Sequence, residues 1–149
     1  MNKTVNGEVY YDMLNDHAIP SMNRMGKISD FWWMQDGARP HRTSKIFGLL
    51  DQHFGERIIS LDANKYNKSG IDWPAYSPDL NPCDFFLWGY LKDTIYKNPI
   101  QTIDDLVREI ERQICGITPD LLKKALENFE KRLDRVIETD GKHFENLYY

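Results

Sequence analysis

Two aspartates in this 149-residue sequence stand where a carboxylate can do chemistry. Asp36 ends an apolar, aromatic run, Phe31 to Gln35, and is followed by Gly37. Such a run, with no polar alternation, predicts a strand buried on both faces. Gly37 lets the chain turn away without steric cost, so Asp36 is expected at the strand's carboxyl end. Asp84 follows Pro82, and Pro78 and Pro82 bracket a tight turn. The aromatic-rich run after that turn predicts a helix whose first turn carries the acid. One carboxylate at a strand end and another at a helix start suit a hard divalent cation, which takes oxygen ligands.

The flanking pattern predicts the elements that hold these acids. Asn6-Gly7 signals a turn, and Val9, Tyr10, Met13, Leu14 and His17 recur at helical spacing up to Pro20, with residues 20–30 as a connector. After Pro40, Ile46, Leu49, Leu50 and either His53 or Phe54 share a helical face that Gly55 stops, and a short β-branched strand follows from Arg57 to Leu61. Strand, helix, strand in that order predicts a right-handed parallel crossover. Residues 62–72 are polar and aperiodic and read as a surface loop. A helix from Cys83 to Tyr96 then carries an aromatic stripe of Phe85, Trp88, Leu91 and Lys92, set to pack on the sheet. Thr102 and Gly116 bound the next helix. Thr118-Pro119-Asp120 opens the last one, with Leu122, Leu126, Phe129, Leu133 and Val136 or Ile137 on one face until Asp140-Gly141. The fold class is therefore α/β, and no repeat or linker divides residues 1–149, which read as a single domain.

Composition narrows the function classes. A net charge of -4 is against a protein whose main task is coating nucleic acid, although local basic patches stay open. Cys83 and Cys115 are too few and too far apart for a metal knuckle and fit a reduced, intracellular compartment. No apolar run reaches the length of a membrane span and no signal core opens the chain, so a soluble protein with no membrane partner is expected.

The stretches QDGARPH, WPAYSPDLNPCDFFLWGYLKD, QTIDDLVREIERQI and GKHFENL resemble the C-terminal part of the catalytic domain of mariner-like transposases of the DDE/D superfamily, in the branch common in insect genomes. The resemblance runs over most of the chain, and its joined motifs are far more specific than an isolated acid and histidine. It implies a partial RNase H-like fold of later strands plus C-terminal helices. It also implies an acidic triad holding Mg2+ or Mn2+, and cut-and-paste transposition with phosphodiester hydrolysis followed by strand transfer. Asp36 matches the family's second acid and Asp84 its third, as catalytic metal ligands. The first acid has no match, since it belongs to a strand upstream of TVNGEVYYDML. Asp30 is no substitute, because at about 3.3 Å per residue it lies roughly 20 Å from Asp36, at the other end of the strand. Asp12 and Asp16 read as helical surface acids. The family also implies DNA partners (transposon ends), a nuclear location, and self or full-length transposase as further partners.

Each reading has a plainer neighbour. Asp36 alone is also a turn residue, Asp84 a favourable charge at a helix start, and Asp79 a turn former in SPDLNP. Arg39, His41, Arg42 and Lys45 cluster where they can meet phosphates, or form a solvated basic patch. Trp32, Trp33, Phe85, Phe86 and Trp88 read as core. Lys123, Lys124, Lys131, Arg132 and Arg135 interleave with acids as on a solvated helix face. Forty-seven residues separate Asp36 from Asp84, longer than the family spacing, and the excess is placed in an inserted loop at 62–72. Three readings follow. The first is a DDE/D transposase catalytic fragment, inactive alone for want of the first acid, whose unpaired edge at Phe31 to Gln35 favours self-association. The second is a non-enzymatic, domesticated or vestigial module that binds DNA or a transposase subunit. The third is a separate metal nuclease, which needs a third acid.

Overall fold

Chain-terminating and chain-continuing signals compete in the first helix, and the outcome differs from the expected short helix. In the computed structural model, which describes residues 4–26, 28–67, 70–74, 77–97 and 99–141, the Asn6 side chain accepts from the Val9 N–H and starts α1, Gly7–Met13. The chain continues through a π-helical turn, Leu14–Ala18, into α2, Ile19–Met25, so Pro20 lies inside a helical run. A proline in an unbroken α-ladder presses on the carbonyl four residues back and offers no N–H. The wider turn just before Pro20 shifts the ladder there, as π-turns do. The GKHFENL stretch, from Lys142 onward, lies outside the described residues.

The chain divides into two compact units, Met1–Tyr76 and Ser77–Tyr149. The first holds a three-stranded parallel sheet in the order β1 (Trp33–Met34), β2 (Ile58–Ser60), β3 (Ile71–Asp72). Trp33 is in register with Ile58, and Ile59 with Ile71. Backbone bonds from Trp33 N–H to the Arg57 carbonyl and from Gln35 N–H to the Ile59 carbonyl carry the first ladder to the edge of Asp36. α3, Ser44–Phe54, makes the crossover between β1 and β2. Thr43 caps its start, and Gly55 ends it at φ 55°, a conformation that favours glycine.

The 62–72 stretch is not the featureless loop its polarity suggests. It forms α4, Ala63–Asn67, and β3, which pairs with β2. Ala63 is fully buried, and the Tyr66 ring stacks on Phe47 at 4.6 Å. The core of this unit joins Tyr10, Leu14 and Ile19 to Ile46, Phe47, Leu49, Leu50, Phe54, Ile58 and Ala63. Full burial of each large apolar side chain contributes roughly 1.5–3 kcal/mol.

In the second unit, a 3-10 turn, Pro78–Leu80, and a π-helical turn, Cys83–Leu87, lead into α5, Trp88–Ile95. α6, Ile103–Cys115, is capped by Thr102, and α7, Pro119–Glu138, by Thr118. Leu91 and Ile95 are buried, but Trp88 is half exposed, and in the first unit so is Trp32. These two tryptophans are therefore not core.

Candidate metal centre

Asp36 directly follows the last ladder residue of β1 and is half exposed. Its Oδ1 accepts from the Ala38 N–H at 3.0 Å, closing a small turn over Gly37. His41 Nδ1 lies 2.6 Å from the same oxygen, enclosed beside it although off hydrogen-bond alignment. Among the described residues Asp36 Oδ2 has no hydrogen-bond partner. An exposed carboxylate oxygen outside the carboxyl end of a parallel strand is where open α/β sheets meet ligands, and its chemistry fits a hard cation.

The position of Asp36 rests on its buried neighbour. Gln35 Oε1 accepts from Tyr10 Oη at 3.1 Å and from Trp33 Nε1 at 3.2 Å. Its Nε2 donates to the His41 carbonyl at 3.0 Å and to Ser60 Oγ at 3.1 Å. The amide is thus fully satisfied, which a buried polar group requires. The Tyr10 ring rests on His41, 4.1 Å between centroids. Burial first, and then the Asp36 charge, push the Tyr10 phenol above the ordinary tyrosine range, opposed by its contact with Trp33.

Of the four basic candidates beside this acid, three meet carboxylates. His41 faces Asp36, Arg42 pairs with Asp62 at 3.2 Å, and Lys45 pairs with Glu8 while sitting 4.0 Å over the Tyr11 ring. The Glu8 hydrogen bond raises the Lys45 ammonium above its usual range. Arg39 is exposed in the short 3-10 turn Arg39–His41. Asp62 itself has φ 67°, uncommon for a residue with a side chain.

Asp84 lies in the first turn of the Cys83–Leu87 segment and is exposed, with its N–H bonded to the Asn81 carbonyl at 2.9 Å. Asn81 also accepts from the Cys83 N–H through its side chain at 3.1 Å, so it caps the turn that presents the acid. The rival Asp79 is buried in the preceding turn. Arg132 of α7 donates to the Asp79 carbonyl at 3.1 Å and stacks over the Phe85 ring at 4.5 Å, binding both turns to α7. The charge pattern of α7 hid this role, since a stripe of mixed signs reads as solvated. Gln35 was hidden too, as two of its four partners are 25 residues away, one on either side. Asp36 falls in the first unit and Asp84 in the second. Among the described residues no three His, Cys, Asp or Glu side chains stand together as a metal cluster.

No protein-family profile matches the sequence. The chain is 32% identical over 114 residues to the transposase of the transposable element Tc3 from Caenorhabditis elegans, a match covering 75% of this chain and 30% of that protein. It spans under a third of that relative's length. Its fold matches the Mos1 transposase catalytic domain, solved with raltegravir and manganese, at a TM-score of 0.68 and 17% identity, over 97% of this chain and 68% of that one. The chain has the RNase H-like fold, and its sequence is similar to that of a transposase.

Proposed function

We propose that this chain contributes Asp36 and Asp84 to a metal-dependent site for DNA strand cleavage and transfer, with Mg2+ or Mn2+ as the ion. The observation that carries it is the half-exposed Asp36 carboxylate at the carboxyl end of β1, with Oδ2 open. The Mos1 catalytic domain was solved with manganese, in keeping with divalent metal use by such folds. The residues present fit such an ion by donor type. When bound, it would polarise a phosphoryl oxygen and lower the pKa of a water or a 3'-hydroxyl. Asp36 and Asp84 are each the ligand proposed within its own unit, and the Ala38 N–H holds Asp36 Oδ1 in place. Arg39 is the basic group best placed to meet a phosphate, because His41, Arg42 and Lys45 must first exchange a carboxylate. The partner is DNA at transposon ends, and the location that follows is the nucleus. No helix among the described residues is long and apolar enough to cross a membrane.

With two acids and no cluster of three among the described residues, we expect the 149-residue chain to bind metal weakly and to cleave DNA poorly by itself. That observation also favours the second reading, a non-enzymatic module that binds DNA or an intact transposase subunit. Water-proton relaxation in Mn2+ titrations separates them. Weak binding lost in both Asp36→Asn and Asp84→Asn supports the metal reading. Titrations identical in wild type and both variants would remove it, and co-purification with an intact relative would then support the second.

A further inference from the structure

We propose that Gln35 is the positioning residue for Asp36, holding its carboxylate through a closed circuit that runs by way of His41. The inference rests on the reading of Asp36 as a metal ligand, and it adds a residue that the acidic motif does not include. Gln35 is 6% exposed, whereas the next residue, Asp36, has a side chain 48% exposed. Successive strand side chains point to opposite sides, so the residue that locks the backbone faces inward just where the acid faces outward. Gln35 Nε2 holds the His41 carbonyl at 3.0 Å, and the His41 imidazole comes back to within 2.6 Å of Asp36 Oδ1. From Asp36 the backbone returns to Gln35 and closes the circuit. Three further bonds pin the amide to different elements: Tyr10 on α1, Trp33 on β1 and Ser60 on β2.

The site calls for an amide and no other side chain. Two neighbours need a donor or accept one readily, the His41 carbonyl and Ser60 Oγ. Two others give a hydrogen, Tyr10 Oη and Trp33 Nε1. Only a primary amide of this length donates twice and accepts twice. A glutamate of equal size keeps the two acceptor contacts but sets a carboxylate oxygen against the His41 carbonyl. It also loses the donation to Ser60 Oγ, but that hydroxyl can turn its own hydrogen toward the carboxylate, whereas the His41 carbonyl cannot, so Gln35→Glu cuts the circuit chiefly at His41. Tyr10→Phe is a milder one: it removes a single donor and leaves the ring against His41.

The test is NMR on the full 149-residue chain at one fixed pH, following the His41 ring nitrogens and the Mn2+-induced broadening of the Asp36, Gly37 and Ala38 amides. In wild type the broadening centres on these amides, and Asp36→Asn abolishes it. Gln35→Glu shifts the His41 ring signals and raises the Mn2+ needed by about tenfold or more, the scale on which groups supporting a metal ligand act. Tyr10→Phe moves both readouts the same way by less, and it decides the matter if Gln35→Glu does not fold. If broadening depends on Asp36 yet both variants titrate as wild type with unmoved His41 signals, the Gln35 proposal is overturned and the metal reading stands. If wild type and Asp36→Asn show the same diffuse broadening, the metal reading fails. The His41 signals then still judge Gln35, and their failure to move in Gln35→Glu overturns it.

Discussion

Gly70 offers a sharp test of how the 62–72 segment is built. A Cβ added there would lie 2.9 Å from the Ile58 carbonyl oxygen and 3.0 Å from Ala63 Cβ. Neither neighbour can yield cheaply, since Ile58 is fully buried in β2 and Ala63 fully buried in α4. Overpacking of this kind costs about 1–3 kcal/mol, and the entropy that alanine removes from the unfolded chain returns roughly 0.4–1 kcal/mol. Gly70→Ala should therefore destabilise by about 1–2 kcal/mol, a fall of about 1 M in the urea midpoint at an m-value of about 1–3 kcal/mol/M. Gly37 is the internal comparison. Its added Cβ would meet Leu61 Cδ2 at 2.8 Å, the tip of a half-buried side chain that can rotate away. Gly37→Ala should cost about 1 kcal/mol or less, and Leu61→Ala in the same chain should recover most of it. Urea unfolding followed by tryptophan fluorescence measures all three. A neutral Gly70→Ala, or a Gly37→Ala that costs more than Gly70→Ala, would refute the close approach of this segment to β2.

Thr43→Ala removes the side-chain acceptor for the Ile46 N–H at the start of α3 and should cost about 1 kcal/mol in thermal or urea unfolding. Phe54→Ala empties a fully buried position against Trp33, 5.5 Å between ring centroids, and should cost about 3–5 kcal/mol with a large change in tryptophan emission. The α6 carboxylates predict acid sensitivity. The Thr102 hydroxyl holds Asp105 below the usual range, and Arg112 holds Glu109 at about 2. Their contribution is present above the unfolded carboxylate range near pH ~4 and is lost as pH falls toward the folded values. The α6 amides should accordingly lose protection between those limits before the first unit does, as read by hydrogen exchange. Tyr10 has the opposite sense: its phenol stays protonated when folded, so stability falls as pH rises above about 10, where the unfolded phenol ionises. Tyr10→Phe should flatten that limb in alkaline urea unfolding.

Where periodicity and capping coincide, the sequence was readable. The Thr102 and Thr118 starts, the α3 core face and the Gly55 stop all stand where side-chain spacing places them. Asp36 at the end of β1 was legible for the same reason, because an apolar run ending in Asp-Gly leaves few other positions for the acid. Pro20 misled, since a proline predicts a stop only if the ladder before it stays α, and here a π-turn relieves it. The 62–72 stretch hid α4 and β3, as an element of five residues and another of two have too few positions to show a period. The Gln35 circuit was not read: two of its four hydrogen-bond partners are 25 residues away and leave no local trace.

Iron-directed cleavage of the chain itself tests the central reading most directly. Fe2+ taken up in place of Mg2+ generates hydroxyl radicals with ascorbate and peroxide, and these cut the backbone beside the bound ion. Cuts are expected near Asp36 and near Asp84, suppressed by excess Mg2+ or Mn2+ and lost in Asp36→Asn and Asp84→Asn. Cuts that ignore both residues and persist in both variants would contradict it.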